Sequence, residues 1–213
     1  MDPNPYPVSF AVDYPDRELS RLSSFFRLFT VIPIAIVLGT VAGGTWQFSA
    51  GGGTHDAGGV IAGAGGVLFL GPLLMILFRR KYPRWWYDWN LELQRFASRV
   101  LIYLALMDDR YPSTDDHQAV RLDYRYPDAS SELNRWLPLV KWLLAVPHYV
   151  VLFFLDIAAL AVVIAAWFAI LFTGRYPAGI FQFVEGVARW HSRVIGYAVT
   201  LVTDAYPPFR LAP

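Results

Sequence analysis

Long apolar segments are the feature that most constrains this chain. Residues 28–44 and 60–78 each supply the roughly 17 to 20 apolar residues that a membrane-crossing helix needs, and a third apolar run covers residues 142–174. Of 213 residues, 55% are hydrophobic and only 16% are charged, which leaves little polar surface for a soluble domain. The sequence therefore predicts an all-α integral membrane protein.

The distribution of basic residues predicts the orientation of the first two spans. The connection between them contains no Lys or Arg, whereas Arg79, Arg80, Lys81 and Arg84 crowd the exit of the second span. Loops on the cytoplasmic side carry the excess of Lys and Arg in membrane proteins. We therefore expect the connection to face outward and both termini to be cytoplasmic.

The third apolar run is too long for one upright crossing. As a single helix, residues 142–174 would extend about 50 Å, against a hydrocarbon core of about 30 Å. Asp156 is the only formal charge in the run. A single crossing would also leave Arg175, Arg189 and Arg193 outside. The sequence therefore predicts a hairpin over about 139–173 that turns near Asp156.

The chain contains an internal duplication. Aligning residues 76–112 with residues 170–207, with one gap, gives identity at 13 of 37 positions. We therefore predict a first repeat over 1–113, a linker at 114–118 and a second repeat over 119–213. Because each predicted hairpin returns to its starting side, the two repeats are parallel and related by a pseudo-two-fold axis along the membrane normal.

Each predicted repeat also contains a short strand and an amphipathic helix. The segments VSFAVDY from Val8 and VRLDYRY from Val120 alternate apolar and polar residues, which predicts strands of a small cytoplasmic β-sheet. Apolar residues recur at steps of three and four over 84–107, and residues 178–202 are the counterpart of this segment. We expect both helices to lie in the cytoplasmic interface of the membrane.

A shared R-x-x-S-R pattern in these helices supports two interpretations. In one, the residues converge near the axis and bind the phosphate of an anionic lipid. In the other, the arginines pair with Glu92, Asp109, Glu185 and Asp204 and connect helix, corner and sheet. The residues concerned are Arg95, Ser98, Arg99, Arg189, Ser192 and Arg193.

Other polar and small residues give further predictions. Asp156 and His148 are candidates for polar sites inside the membrane. A row of small residues favours close helix packing, and hence a homo-oligomer or a larger membrane complex: Gly59, Ala62, Gly63 and Gly66. No motif indicates a cofactor, a metal site or nucleic-acid binding, and the chain has no Cys.

The second half of the chain resembles a known family. Residues 166–209 read AWFAILFTGRYPAGIFQFVEGVARWHSRVIGYAVTLVTDAYPPF, and LPLVKWLLAVPHYVVL from Leu137 extends the likeness. Together they resemble the signature of a bacterial membrane-protein family known as domain of unknown function 4389. The resemblance implies an integral protein of the bacterial cytoplasmic membrane, and it implies no activity and no catalytic residues.

These features favour a non-enzymatic function. We expect a structural or accessory protein of the inner membrane that binds lipid and a membrane protein partner or a second copy of itself. One alternative is a small transporter or channel along the pseudo-two-fold axis. Another is a protein that binds or modifies a lipid phosphate, for which His191 is the only acid–base candidate in the 178–202 helix.

Overall fold

The described part of the chain consists of seven helices and two strands. The computed structural model describes residues 6–41, 70–114, 116 and 118–213. The first elements in chain order are β1 (Val8–Val12), α1 (Arg21–Phe25), α2 (Arg27–Val41), α3 (Leu70–Arg79) and α4 (Arg84–Leu104). They are followed by β2 (Val120–Tyr124), α5 (Pro138–Leu144), α6 (Val146–Thr173) and α7 (Ala178–Ala198).

The two strands form the small sheet that the alternating pattern predicts. β1 pairs antiparallel with β2, and Phe10 lies opposite Leu122 at the centre of the register. In both strands the first, third and fifth residues are buried and the other two are exposed. The period-two pattern thus places one apolar face of the sheet in the core.

The long helices α4 and α7 flank this strand pair. α4 packs against β2 and α7 packs against β1. Each helix follows a Tyr-Pro pair, and Pro83 and Pro177 start the helices with extended backbone (ψ 129° and 125°). α4 ends at Leu104 and α7 at Ala198, a few residues before the predicted ends. Leu106 and Leu201, just beyond them, both adopt positive φ, which is incompatible with a continuing helix.

The α7 helix is more deeply buried in the protein than we expected of an amphipathic helix that lies in the membrane interface. It lies between α6 on one side and β1 on the other. Arg189, Ser192 and Arg193 are all buried. Its polar residues therefore face protein, because the strand edge and the C-terminal segment cover the face that the amphipathic pattern assigned to headgroups.

The turn predicted near Asp156 is absent. α6 is one continuous helix of 28 residues. The apolar run breaks earlier, between α5 and α6 at Ala145, where Pro147 occupies the first turn of α6. No Gly or Pro interrupts residues 148–173, so nothing in this stretch favours a turn. At about 1.5 Å per residue α6 is about 42 Å long, close to a bilayer that includes its headgroup layers.

The chain reverses direction after α6 instead. Gly174, with φ 74°, ends α6 in the left-handed conformation that glycine adopts without steric cost. α7 then runs back along α6, so that Trp190 contacts His148 and His191 lies beside Asp156. α6 and α7 therefore form an antiparallel pair in place of the predicted 139–173 hairpin.

Among the described residues, α6 is the helix that is long and apolar enough to cross a membrane. Within the same residues α2 and α3 are apolar but shorter, and each borders the segment 42–69, which lies outside the described residues. Of the most apolar 18-residue stretch of α6, only 11% is buried inside the protein. Its exposed large side chains follow one another along the whole helix: Val150, Phe153, Phe154, Ile157, Leu160, Ile164, Phe168 and Phe172.

Candidate functional site

The α4 arginines bind to the backbone of the first half of the chain and of β2. Arg95 donates from Nε to the Leu122 carbonyl at 2.8 Å and pairs with Glu92 at 2.6 Å and Asp123 at 2.7 Å. Arg99 donates to the carbonyls of residues 113 and 114 at 2.8 and 3.0 Å. Ser98 is half-buried on the same helix. Arg95 thus caps an outer carbonyl of β2.

The α7 arginines make matching contacts on the other strand. Arg189 donates from Nε to the Phe10 carbonyl at 2.8 Å, and it also pairs with Glu185. Arg193 donates to the carbonyls of Arg210 and Ala212 at 3.0 and 2.8 Å. The hydroxyl of Ser192 donates to the carbonyl of the residue four positions earlier at 2.9 Å.

These contacts give the arginines a structural role at the edges of the sheet. A two-stranded sheet leaves both outer edges with unpaired backbone groups. Phe10 and Leu122 form a pair whose carbonyls point outward, and Arg189 and Arg95 satisfy them. The six predicted residues therefore lie in two groups at opposite edges, and the structure does not bring all four guanidinium groups together.

The carboxylates named in the sequence interpretation divide into two kinds. Glu92 and Glu185 pair with Arg95 and Arg189 as expected. Asp109 and Asp204 pair with other cations, namely Arg17 and Lys141. Arg17 precedes α1 and Lys141 lies on α5, so both partners are distant in sequence from α4 and α7.

Lys141 is a buried cation that sequence reasoning did not single out as a functional residue. Its side chain is fully buried, and Nζ lies 2.7 Å from both Asp204 Oδ1 and the Thr203 carbonyl. The Tyr197 ring lies 5.1 Å from Nζ. Burial lowers the pKa of the Lys141 ammonium, and the hydrogen bond to Asp204 opposes that shift. Lys141 thus connects α5 to the segment after α7.

Arg27 is the counterpart of Lys141 in the first half. One of its amino groups donates to the carbonyls of Tyr103 and Asp108 at 3.1 and 2.7 Å. The guanidinium carbon lies 3.9 Å from the centre of the Tyr103 ring, a cation–π contact. In both halves, therefore, a buried cation connects the start of an apolar segment to the segment that follows the long helix.

The two polar candidates on α6 occupy separate places. His148 is fully buried, accepts a 3.0 Å hydrogen bond from Trp190 Nε1 at Nδ1 and stacks on Phe209 at 4.0 Å. Asp156 is half-exposed, and its carboxylate lies 3.4 Å from His191 Nε2. These contacts hold α6 against α7. The two residues do not share one polar site.

Two points of the sequence analysis fall wholly or partly on residues that the structure does not describe. The small-residue row Gly59, Ala62, Gly63 and Gly66 lies outside the described residues. Within the described ranges, no three His, Asp or Glu side chains come together in a way that suits a metal ion.

A basic pocket lies beside the corner between α3 and α4. It is a cavity of about 760 Å³. One wall is the corner itself, with Arg79, Arg80 and Lys81, and the other is the loop over residues 125–132. The exposed indole of Trp85 forms part of its rim. We call this cavity the basic pocket.

The charges in the basic pocket are unequally satisfied. Asp128 accepts hydrogen bonds from Ser130 and Ser131, and Glu132 pairs with Arg125 at 2.6 Å. The cations at positions 79, 80 and 81 have no side-chain hydrogen bond or ion pair within the described part of the chain. Among the described residues, the pocket therefore has three cations and one carboxylate, that of Asp128, without an ion-pair partner.

Arg80 has an unusual backbone conformation. Its φ is 49° and its ψ is 42°, the left-handed region. This conformation costs a non-glycine residue about 1–2 kcal/mol. The equivalent position before the second Tyr-Pro pair is Gly174, with φ 74°. The first corner thus carries an arginine where the same backbone favours glycine.

Comparison with known proteins gives one match. Residues 136–210 match a family model described as Domain of unknown function (DUF4389), which confirms the resemblance drawn from the sequence. Comparisons with curated proteins and with solved structures found no match. This part of the chain contains α5, α6 and α7, together with His148, Lys141 and the α7 arginines.

Proposed function

We propose that this chain is an integral protein of the bacterial cytoplasmic membrane with a structural or accessory, non-enzymatic role. It binds lipid through its apolar helices, and it binds a membrane protein partner or a second copy of itself. The outer surface of α6 is the observation that carries this proposal. A helix that is apolar all round and yet lies outside the protein core needs another apolar environment.

A bilayer suits the α6 surface better than water does. Soluble monomers rarely expose contiguous apolar patches larger than a few hundred Å². On α6, Phe153, Phe154 and Leu160 are each more than 60% exposed, and Phe172 is 79% exposed. On α2, Leu28 and Phe29 are about equally exposed, at 70% and 69%. These helices supply lipid-facing surface from both halves of the chain.

We also propose that the chain is built from two repeats, and paired contacts support this. Tyr14 donates to the Tyr176 carbonyl, and Tyr126 donates to the Tyr82 carbonyl, both at 2.5 Å. The contacts of Arg95 and Arg189 with the two strands, and those of Arg27 and Lys141, match in the same way. Each tyrosine reaches from one predicted repeat to the corner of the other, so the halves are interlocked.

The centre of the strand pair favours an accessory role over a transport path. An axis that relates the two halves passes between Phe10 and Leu122, which are 4% and 3% exposed. A transporter would need a polar cavity at this place. His191 points toward Asp156 and the Val187 carbonyl, away from the arginine contacts, which weighs against its use as a general acid or base there.

In this proposal, the α6–α7 pair indicates on which side of the membrane the termini lie. Tyr206 donates to the Leu144 carbonyl at 3.1 Å. The segment after α7 therefore lies beside the end of α5, directly before α6 begins. The start and the end of this unit therefore lie on one side. Together with the basic residues after α3, this supports a cytoplasmic location for both termini.

Labelling of single cysteines tests the proposal, because the chain has no natural Cys. Leu160→Cys on α6 should resist a membrane-impermeant maleimide in native membranes and react once detergent is added. Asp123→Cys on the exposed strand face is the matched control, and it should react in inside-out vesicles without detergent. Equal reaction of both residues without detergent would contradict a lipid-embedded α6.

A further inference from the structure

We propose that the basic pocket binds the phosphate group of an anionic membrane lipid. This inference rests on the proposed function, because it requires the corner between α3 and α4 to lie at the membrane surface. It assigns the lipid site to Arg79, Arg80 and Lys81, and not to the arginines of the R-x-x-S-R pattern.

The first support is the availability of charge. The guanidinium groups of Arg95 and Arg189 are occupied by strand carbonyls and carboxylates, so they have few donors left for a ligand. The three cations of the pocket have no such partners among the described residues. Arginine and lysine donors bind phosphate through short, charge-assisted hydrogen bonds. A phosphate would therefore meet donors that the described part of the fold does not use.

The second support is the shape of the pocket. Its two walls come from segments more than 40 positions apart, and the 2.5 Å hydrogen bond from Tyr126 to the Tyr82 carbonyl holds them together. Asp128 and Glu132, the acidic residues of the far wall, are turned toward Ser130, Ser131 and Arg125. The fold thus keeps an open cleft in which Arg125 neutralises Glu132, and the three cations outnumber the one remaining carboxylate, that of Asp128.

The third support is the surrounding apolar surface. α3 leads directly into the pocket, and Leu74 and Phe78 on this helix are 48% and 71% exposed. Trp85, at 67% exposure, stands at the rim. Aromatic rings beside cations are typical of the headgroup layer. Acyl chains lying along α3 would place the phosphate of the same lipid at the three cations.

The conformation of Arg80 supports a role for its side chain. The left-handed backbone there favours glycine, and the second corner has glycine at this place. Strained residues cluster at binding sites because the surrounding structure holds them. Arg80→Gly is therefore an informative variant, since it removes the charge and relieves the backbone strain in one step.

The experiment compares lipid binding by the full chain and three variants in nanodiscs. The probe is phosphatidylglycerol in a phosphatidylcholine background, and bound lipid is counted by native mass spectrometry. Arg80→Gly and Lys81→Ala should each lower the affinity for phosphatidylglycerol about tenfold. Arg175→Ala is the matched control, because Arg175 precedes the second Tyr-Pro pair and lies outside the pocket. Its affinity should stay within about twofold of the natural chain.

Three results would overturn the inference. Unchanged affinity in Arg80→Gly and Lys81→Ala would exclude the pocket. An equal loss in Arg175→Ala would reduce the effect to general charge attraction. Displacement of phosphatidylglycerol by inorganic phosphate would assign the pocket to a free anion. Failure of the protein to enter pure phosphatidylcholine nanodiscs would instead contradict the proposed function, so the two failures are distinguishable.

Discussion

The two Tyr-Pro corners have the same backbone plan and different side-chain chemistry. Before α4 the chain reads Arg79-Arg80-Lys81, and before α7 it reads Thr173-Gly174-Arg175. In both corners the tyrosine carbonyl accepts a hydrogen bond from a tyrosine of the other half. The first corner borders the basic pocket of about 760 Å³. The shared contacts therefore hold the fold together, and the basic side chains of the first corner are the site that we propose for a lipid phosphate.

Removal of a buried cation should give the largest loss of stability, far larger than removal of a cation from an exposed ion pair. Lys141→Met should lower the free energy of unfolding by about 3–5 kcal/mol, because Asp204 and the Thr203 carbonyl lose a buried partner. Arg121→Ala is the matched control, since both side chains of its ion pair with Asp13 are more than half exposed, and it should change the melting temperature little. Thermal unfolding in detergent measures both. Similar small losses would show that the Lys141 contact is not important for stability.

Removal of the two strand-edge arginines should also give unequal losses of stability, with the larger loss at the more buried residue. The Arg189 side chain is 9% exposed, whereas that of Arg95 is 28% exposed and its carboxylate partners are mostly exposed. Arg189→Met should therefore cost about 3 kcal/mol and Arg95→Met about 1 kcal/mol. Chemical unfolding of the two variants provides the comparison. A larger loss in Arg95→Met would contradict the assignment of the more buried edge to α7.

The close approach of α7 to β1 at Gly196 is a further difference between the two halves. A Cβ at Gly196 on α7 would lie 2.7 Å from Val8 on β1, closer than side chains pack. The equivalent residue of α4 in the aligned repeats is Ile102, so the two helices approach their strands differently. Gly196→Ala should destabilise the protein by about 2 kcal/mol. Gly179→Ala, where a Cβ would meet open space, is the control and should leave the melting temperature unchanged.

Exchanging the corner residues should give the smallest effects on stability. Arg80→Gly should raise the free energy of unfolding by up to about 1 kcal/mol, because glycine adopts the left-handed backbone without strain. Gly174→Ala should lower it by about 1 kcal/mol for the converse reason. Melting temperatures of both variants test the pair. A loss of stability in Arg80→Gly would mean that the arginine has a structural role.

Local sequence patterns predicted the elements better than they predicted the contacts between them. The alternation in VSFAV and VRLDY identified both strands, and the Tyr-Pro pairs marked the starts of α4 and α7. The carboxylate partners Glu92 and Glu185 were predictable, whereas the backbone partners were not, because Phe10 and Leu122 are far from the arginines in sequence and act through backbone carbonyls. Backbone acceptors leave no signature in the residue types.

The error at Asp156 and the omission of the basic pocket have different causes. The predicted turn rested on a length argument that counted the apolar run from residue 142 and assumed an upright crossing. The helix starts at Val146, and its one acidic residue is satisfied beside His191. For the pocket, the sequence identified the basic residues after the second span. Its other wall, residues 125–132, is brought to them only by the fold.

A depth measurement along α6 tests most directly whether this helix lies in the membrane. Spin labels at single cysteines, placed at Phe153, Ile157, Leu160, Ile164 and Phe168, report access to oxygen and to a water-soluble nickel complex in reconstituted bilayers. We expect all five sites to be open to oxygen and closed to nickel, and Asp123→Cys on the strand pair to show the reverse. Free access of nickel to the middle of α6 would contradict a membrane-embedded protein.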